Sequence, residues 1–185
     1  MRVKPSAVAV WLCFFAFDTS VYTLLLLGAM LLHEMGHLWM LYALSVPRVQ
    51  IVFSSFGAEM NYDGCFLSHK QQIALSLGGV AVNLMTALVC LVLPIRNSYS
   101  EFLMVVSLCL AFLNLLPVKG LDGGKALEAF LLCKMELSRA LSRMRCVSFL
   151  CLLMLFGLSL VLLWASGFNF SLLLFTLYLS LSIFR

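Results

Sequence analysis

His33 and His37 stand four residues apart in the run Leu32-His33-Glu34-Met35-Gly36-His37-Leu38. On an α-helix that spacing is about one turn, so both imidazoles leave the same face with a rise of roughly 6 Å between them, close enough to reach one ion. Glu34 points about 100° around the helix from His33. A carboxylate there lies beside a bound metal, where it can take a proton from water on the ion. The chemistry this pattern supports is metal-assisted hydrolysis. The flanking residues are apolar, and ionisable groups in such a segment are costly unless paired or metal-bound, which marks them as functional candidates. With 3 His and five Glu among 185 residues, a shuffled chain would carry His-Glu-x-x-His about once in a thousand. The bland alternative is a pair of helix-interface histidines hydrogen-bonded to neighbouring helices.

A catalytic zinc takes three protein ligands and keeps a fourth position open. The remaining histidine, His69, falls in a polar loop by sequence, and no Cys-x-x-Cys pair is present among the seven cysteines, so a carboxylate is expected as the third ligand. Asp122 is the candidate. It closes the stretch Asn114-Leu115-Leu116-Pro117-Val118-Lys119-Gly120-Leu121-Asp122-Gly123-Gly124, where Pro117 breaks a helix and the glycines permit close backbone approach. The alternative is a loop aspartate that caps the following helix.

The elements that must position these groups are membrane helices. The chain is 63% hydrophobic and 11% charged, with a mean hydropathy of +1.07, which excludes an ordinary soluble globule and a soluble enzyme. At about 20 apolar residues per span, the length holds roughly five or six spans and little else. Apolar runs place them near 5–18, 20–45, 71–94, 100–117, 146–165 and 168–184. The first also resembles a signal peptide, whose removal would leave five spans; an uncleaved first helix is expected, because another apolar run follows almost at once. The alternation around Arg48 to Phe53 and the segment Ala58 to Tyr62, joined through Gly57, predict a small hairpin at the membrane face. Gly124 to Leu137 predicts an interfacial helix. The seven cysteines read as small core hydrophobes.

With six spans and a cytoplasmic amino terminus, Arg2, Lys4, Arg48, Lys70, Lys119, Lys125, Lys134, Arg139, Arg143, Arg145 and Arg185 all face the cytoplasm, and Arg96 alone does not. That bias is a strong positive-inside signal. The second and fourth spans then both run inward, which brings the histidine pair and Asp122 toward the same leaflet. A broken helix at membrane depth is tolerated only when buried in protein or lining a watery cavity, which is what hydrolysis there needs.

His33 to His37 on one span and Asn114 to Gly123 on a later one together resemble the site-2 protease family of intramembrane zinc metalloproteases. That family pairs His-Glu-x-x-His with an Asn-x-x-Pro-x-x-x-Leu-Asp-Gly element. The resemblance covers the order and spacing of nearly the whole chain. It implies an all-α polytopic membrane protein of about six transmembrane helices with a small membrane-associated β-hairpin, forming one metalloprotease domain over 1–185. It implies one catalytic Zn2+ held by His33, His37 and Asp122, with Glu34 as general base. The family's Gly-Pro-x-x-Asn element reads Gly79-Val80-Ala81-Val82-Asn83 here, with valine in place of proline, and Asn83 and Asn114 become candidates for oxyanion or substrate contact. Many members have proline where Gly120 stands, a departure that leaves the ligand intact. The chain holds neither the PDZ nor the CBS domain of some relatives, and it looks most like the short sporulation-type bacterial members that process a membrane-associated sigma-factor precursor. The partners implied are a membrane-associated protein substrate, the lipid bilayer of a bacterial cell membrane and a regulatory membrane partner, with no nucleic acid.

Three other readings compete. A divalent-metal transporter or channel also uses intramembrane histidines and carboxylates, but the spans outside the two motifs carry few ionisable groups for a relay. A non-catalytic relative that kept its metal has no use for Glu34. An aspartyl intramembrane protease fails because Asp63 lies in a polar loop and Leu121 stands where its second motif needs glycine; a serine rhomboid fails for want of Gly-x-Ser-Gly.

Overall fold

Serine and asparagine side chains start the first helices. A computed structural model describes residues 2–3, 20–46, 49–54, 57–62, 67–94, 97–166 and 170–183. Helix α1 (Val21–Ala43) begins where Ser20 Oγ accepts from the Thr23 N–H at 3.4 Å, which satisfies one of the amides a helix start leaves open. Helix α2 (His69–Val92) opens on a full capping box: Ser68 Oγ accepts from the Gln71 N–H and Gln71 Oε1 accepts from the Ser68 N–H. His69 is therefore the exposed first residue of a helix, not a loop residue. Helix α3 (Ser98–Leu115) follows Asn97, whose Oδ1 accepts from the Ser100 N–H at 2.8 Å. Between α1 and α2, strand β2 (Val49–Ser54) pairs antiparallel with β3 (Gly57–Tyr62), Val49 opposite Tyr62 and Ser54 opposite Gly57. The short β1 (Arg2–Val3) lies parallel to β2 on its other side. The expected first span at 5–18, with Cys13, lies outside the described residues.

The chain divides into two compact units, Met1–Phe112 and Leu113–Arg185. In the first, α1 and α2 cross with almost nothing between their backbones. A Cβ placed on Gly36 would stand 2.5 Å from the Gly78 carbonyl oxygen, and one on Gly78 would stand 2.8 Å from the Gly36 oxygen. Lipid tails are as apolar as leucine, so membrane helices associate through close packing at small residues rather than by escaping water. At the amino ends of α1 and α3, Tyr22 meets Phe102 edge-on at 4.9 Å and Tyr99 at 5.5 Å between ring centroids. Those two helices thus begin at the same face.

The second unit holds α4 (Asp122–Leu132), α5 (Leu137–Ser166) and α6 (Ser171–Ile183). The helix expected over 124–137 starts two residues earlier and stops at Leu132, and Leu137 opens the next helix instead. Helix α5 has 30 residues, about 45 Å at 1.5 Å per residue, against a hydrocarbon core of about 30 Å. Arg139, Arg143 and Arg145 occupy its first three turns, so the helix extends past the apolar run of 146–165. Val118, Leu152 and Leu179 form the buried core of this unit. Outward positions of α5 are apolar too: Leu153, Met154 and Trp164 are exposed, Trp164 by 90%, as lipid rather than water requires.

Among the described residues, α1, α2, α3 and α5 are long and apolar enough to cross a membrane. Helix α6, with 13 residues, spans about 20 Å, and its flanks at 167–169 and 184–185 are not described. The cysteines differ from expectation: Cys109, Cys133 and Cys146 are exposed and Cys90 and Cys151 half-buried, so none of these five is a core residue. Their position on apolar helices leaves Cys109 and Cys146 with lipid-facing surface instead.

The glycine crossing yields a direct expectation. Gly36→Ala forces the α1 and α2 backbones apart and lowers stability by about 1–3 kcal/mol, as overpacking does, read as a reduced melting temperature in detergent. Gly28→Ala, where an added Cβ meets nothing within 4 Å, leaves melting unchanged or raised.

Candidate metal centre

The two histidines of α1 turn their Nε2 atoms toward each other. His33 Nε2 and His37 Nε2 are 3.2 Å apart, and the rings meet edge to face with centroids 4.9 Å apart. Both side chains are buried. Each Nδ1 is held from behind by α2. The His37 Nδ1–H donates to the Leu75 carbonyl oxygen at 2.9 Å, which makes Nε2 the acceptor nitrogen of the neutral ring. His33 Nδ1 lies 3.1 Å from the carboxamide of Asn83, a residue with no exposed surface.

Gly79 lies between these two supports. A Cβ built on it would stand 2.6 Å from His37 Nε2 and 2.7 Å from His33 Nε2. The missing side chain is the space into which both nitrogens point. Leu75, Gly79 and Asn83 are spaced by four, so one stripe of α2 offers a carbonyl, a gap and a carboxamide in succession. The pairing of 37 with 75 and 33 with 83 means that α1 and α2 run antiparallel here. Glu34, one residue on from His33, is half-buried.

Asp122 is the first residue of α4 and 5% exposed. The cap position belongs to Leu121, which offers no side-chain bond, so the carboxylate is not the helix cap. Lys125 Nζ reaches its Oδ1 at 3.1 Å from a mostly exposed position one turn on. The loop before it is tightly held. The Leu121 N–H donates to the Val118 carbonyl at 3.0 Å, and Gly120 fills the third position of that turn with φ at 102°, a conformation glycine reaches without strain. Ser148 Oγ of α5 accepts from the Lys119 N–H at 3.1 Å and donates to the Pro117 carbonyl at 3.2 Å. A Cβ on Gly123 or Gly124 would run into the Leu115 or Val118 carbonyl oxygen, at 2.1 and 2.0 Å. Asn114 lies half-buried in the last turn of α3.

His33 and His37 in the first unit and Asp122 in the second are each buried. The donors suit zinc, which takes nitrogen and oxygen ligands tetrahedrally at about 2.0–2.2 Å. Two imidazole nitrogens on one such ion stand about 3.3 Å apart, close to the 3.2 Å of the pair. The orientation of His37 by a backbone carbonyl is the arrangement that supports a metal-ligating imidazole.

Residues 95–158 match the family model of peptidase family M50. That segment holds Asn114 and Asp122 but not the histidine pair, so the match and the His-Glu-x-x-His pattern are separate indications. Over that segment the chain is similar to peptidase family M50. The solved structure of a site-2 protease from Methanocaldococcus jannaschii shares its fold, with a TM-score of 0.66 and 18% identity over 98% of this chain and 87% of that one. No curated protein sequence matches. The match over 95–158 and the shared fold support an intramembrane metalloprotease.

The site-2 protease sequence elements left four supporting positions unread: Gly36, Leu75, Gly78 and Ser148. Leu75 acts through its backbone, so no residue type signals it. The glycines at 36 and 78 carried a signal, small residues on consecutive membrane helices. Two outcomes follow from this geometry. Gly79→Ala displaces the imidazole tips and lowers bound zinc in the purified protein while circular dichroism keeps its helical signal. Gly120→Ala places a Cβ in a left-handed conformation and costs about 1–2 kcal/mol, measured by thermal unfolding.

Proposed function

We propose that this protease hydrolyses a peptide bond of a membrane-associated protein near the cytoplasmic face, with one zinc ion held by His33, His37 and Asp122 and with Glu34 as general base. The observation that carries the reading is the pair of facing Nε2 atoms, 3.2 Å apart, one residue from the carboxylate of Glu34. The chemistry a zinc ion supplies in such a site is polarisation of the substrate carbonyl and acidification of water. Glu34 takes a proton from the attacking water and returns it to the departing amine nitrogen. His37 keeps its Nδ1 proton on the Leu75 carbonyl and its Nε2 available throughout.

A substrate helix shields its carbonyls, so it must unwind before it is cut. Strand β3 is one of the two outer strands of the described sheet, and its outer edge is where we propose that the released segment binds, by strand addition. The cytoplasmic face, a cytoplasmic amino terminus and six spans are supported by the distribution of basic residues, eleven of them on one side under that topology. The resemblance of the two motifs to the site-2 protease family supports a role in regulated intramembrane proteolysis, releasing a transcription or sigma factor from a membrane-bound precursor under control of a regulatory membrane partner.

The test combines metal content with cleavage. Wild-type protein purified in detergent holds one zinc ion per chain and cuts a co-expressed single-span substrate; chelation stops cleavage and zinc restores it. Glu34→Gln keeps the zinc and lowers cleavage by about a hundred- to ten-thousand-fold. Asp122→Asn loses zinc. Full cleavage by Glu34→Gln removes the base, and unchanged zinc in Asp122→Asn removes the third ligand. Metal flux into vesicles without cleavage turns the assignment to a transporter.

A further inference from the structure

The chain's one fully buried asparagine on α2 stands behind a histidine, and the atoms it presents there decide which nitrogen of that ring carries the proton. Asn83 has no exposed surface and sits four residues beyond Gly79, on the face of α2 that meets α1. Its carboxamide nitrogen lies 3.1 Å from His33 Nδ1, and its oxygen, Oδ1, is buried with no hydrogen-bond partner. The two ends of a carboxamide have the same shape, and a half-turn about its last bond exchanges them.

The two orientations have different consequences for the pair of histidines. With Nδ2–H donating to His33 Nδ1, the neutral ring carries its proton on Nε2 and donates to His37 Nε2, and the chain of bonds runs on through the His37 Nδ1–H to the Leu75 carbonyl. Nε2 of His33 is then occupied by hydrogen and cannot be a ligand. With Oδ1 turned to His33, Nδ1 holds the proton and donates it to the oxygen, and the Nε2 lone pair is bare. Both Nε2 atoms are then ligands, His37 oriented by a backbone carbonyl and His33 by a side-chain one.

We propose that Asn83 is the positioning residue of His33, its carboxamide oxygen accepting the Nδ1 proton of the metal-bound ring so that Nε2 is the ligand atom. Asn83 thereby acts behind the metal site and makes no contact with substrate. This rests on the zinc triad above, and the experiment separates the two. Zinc affinity of the full chain in detergent is measured by competition with a chromogenic chelator for wild type, Asn83→Leu and Asn83→Asp. Leucine matches asparagine in size but accepts no proton, and it weakens zinc binding by about 10- to 100-fold, the range for lost outer-shell partners. Aspartate accepts the same proton and restores affinity, a rescue that a packing role does not give. In wild type labelled with 15N-histidine and loaded with zinc, His33 Nδ1 is protonated, a readout that needs no variant to fold.

Equal zinc affinity of Asn83→Leu and wild type overturns the proposal, as does a raised KM with unchanged affinity, which would return Asn83 to the substrate side. A zinc-loaded wild type whose His33 carries its proton on Nε2 overturns it as well. Wild type that binds no zinc overturns the triad itself, and the role of Asn83 with it.

Discussion

The site depends on two helices touching through their backbones. Because Gly36 and Gly78 bring no side chains to the crossing, α2 comes near enough to α1 for its own atoms to reach the histidine rings. The Leu75 carbonyl meets His37 and the Asn83 carboxamide meets His33. A larger residue at either glycine would add the width of a methyl group, and hydrogen bonds of 2.9 and 3.1 Å do not survive such a separation. Gly79 completes the arrangement by leaving open the space the two Nε2 atoms share. Three glycines thus do what no polar residue could do in lipid: they place fixed hydrogen-bonding groups against buried imidazoles without adding a charge.

A second constraint governs the segment that carries Asp122. A chain that leaves helical geometry inside a bilayer exposes amides and carbonyls that lipid cannot satisfy. Here Pro117 contributes no N–H, Ser148 serves both the Pro117 carbonyl and the Lys119 amide, and the Leu121 amide closes on Val118. Val118 is fully buried and packs with Leu152 and Leu179, which anchors the turn from the apolar side. Gly123 and Gly124 then let α4 begin directly against the carbonyls of Leu115 and Val118. Proline could not replace Gly120 in this turn, since proline is confined to negative φ near −65° and Gly120 sits at 102°.

The chemical groups were legible from spacing because ionisable side chains are rare in an apolar chain and each must be justified. His33, Glu34 and His37 announce themselves by period, and Asp122 by its place after a proline and between glycines. What supports them was not legible in the same way. The Leu75 carbonyl has no residue signature, and Ser148 looks like any serine on a lipid-facing helix until Pro117 and Lys119 are seen beside it. Helix ends were misread where polarity and helicity part company. The charged first turns of α5 are helical though they stand outside the apolar run, and α4 stops at Leu132 although good helix formers continue. The five described cysteines lie outside the core: hydropathy reports an apolar environment without saying whether protein or lipid supplies it.

Charge balance explains how such a site tolerates its surroundings. If His33 and His37 were the neutral imidazole ligands of the proposed zinc ion, the carboxylates of Asp122 and Glu34 would offset its two charges, and no net charge would need to be solvated by lipid. Asp122 has a further counter-charge in Lys125, whose ammonium reaches its Oδ1 while most of the side chain stays exposed. A long, flexible cation of this kind can bury its stem and keep its head near water. It is suited to neutralise the buried carboxylate from the water side. The histidines need no such partner, because their second nitrogens are already committed to groups that carry no charge. Burial of His33, His37 and Asp122 and partial exposure of Glu34 fit the different requirements of the proposed roles: ligands hold better in a dry, fixed shell, whereas a base that exchanges protons must keep a route to water.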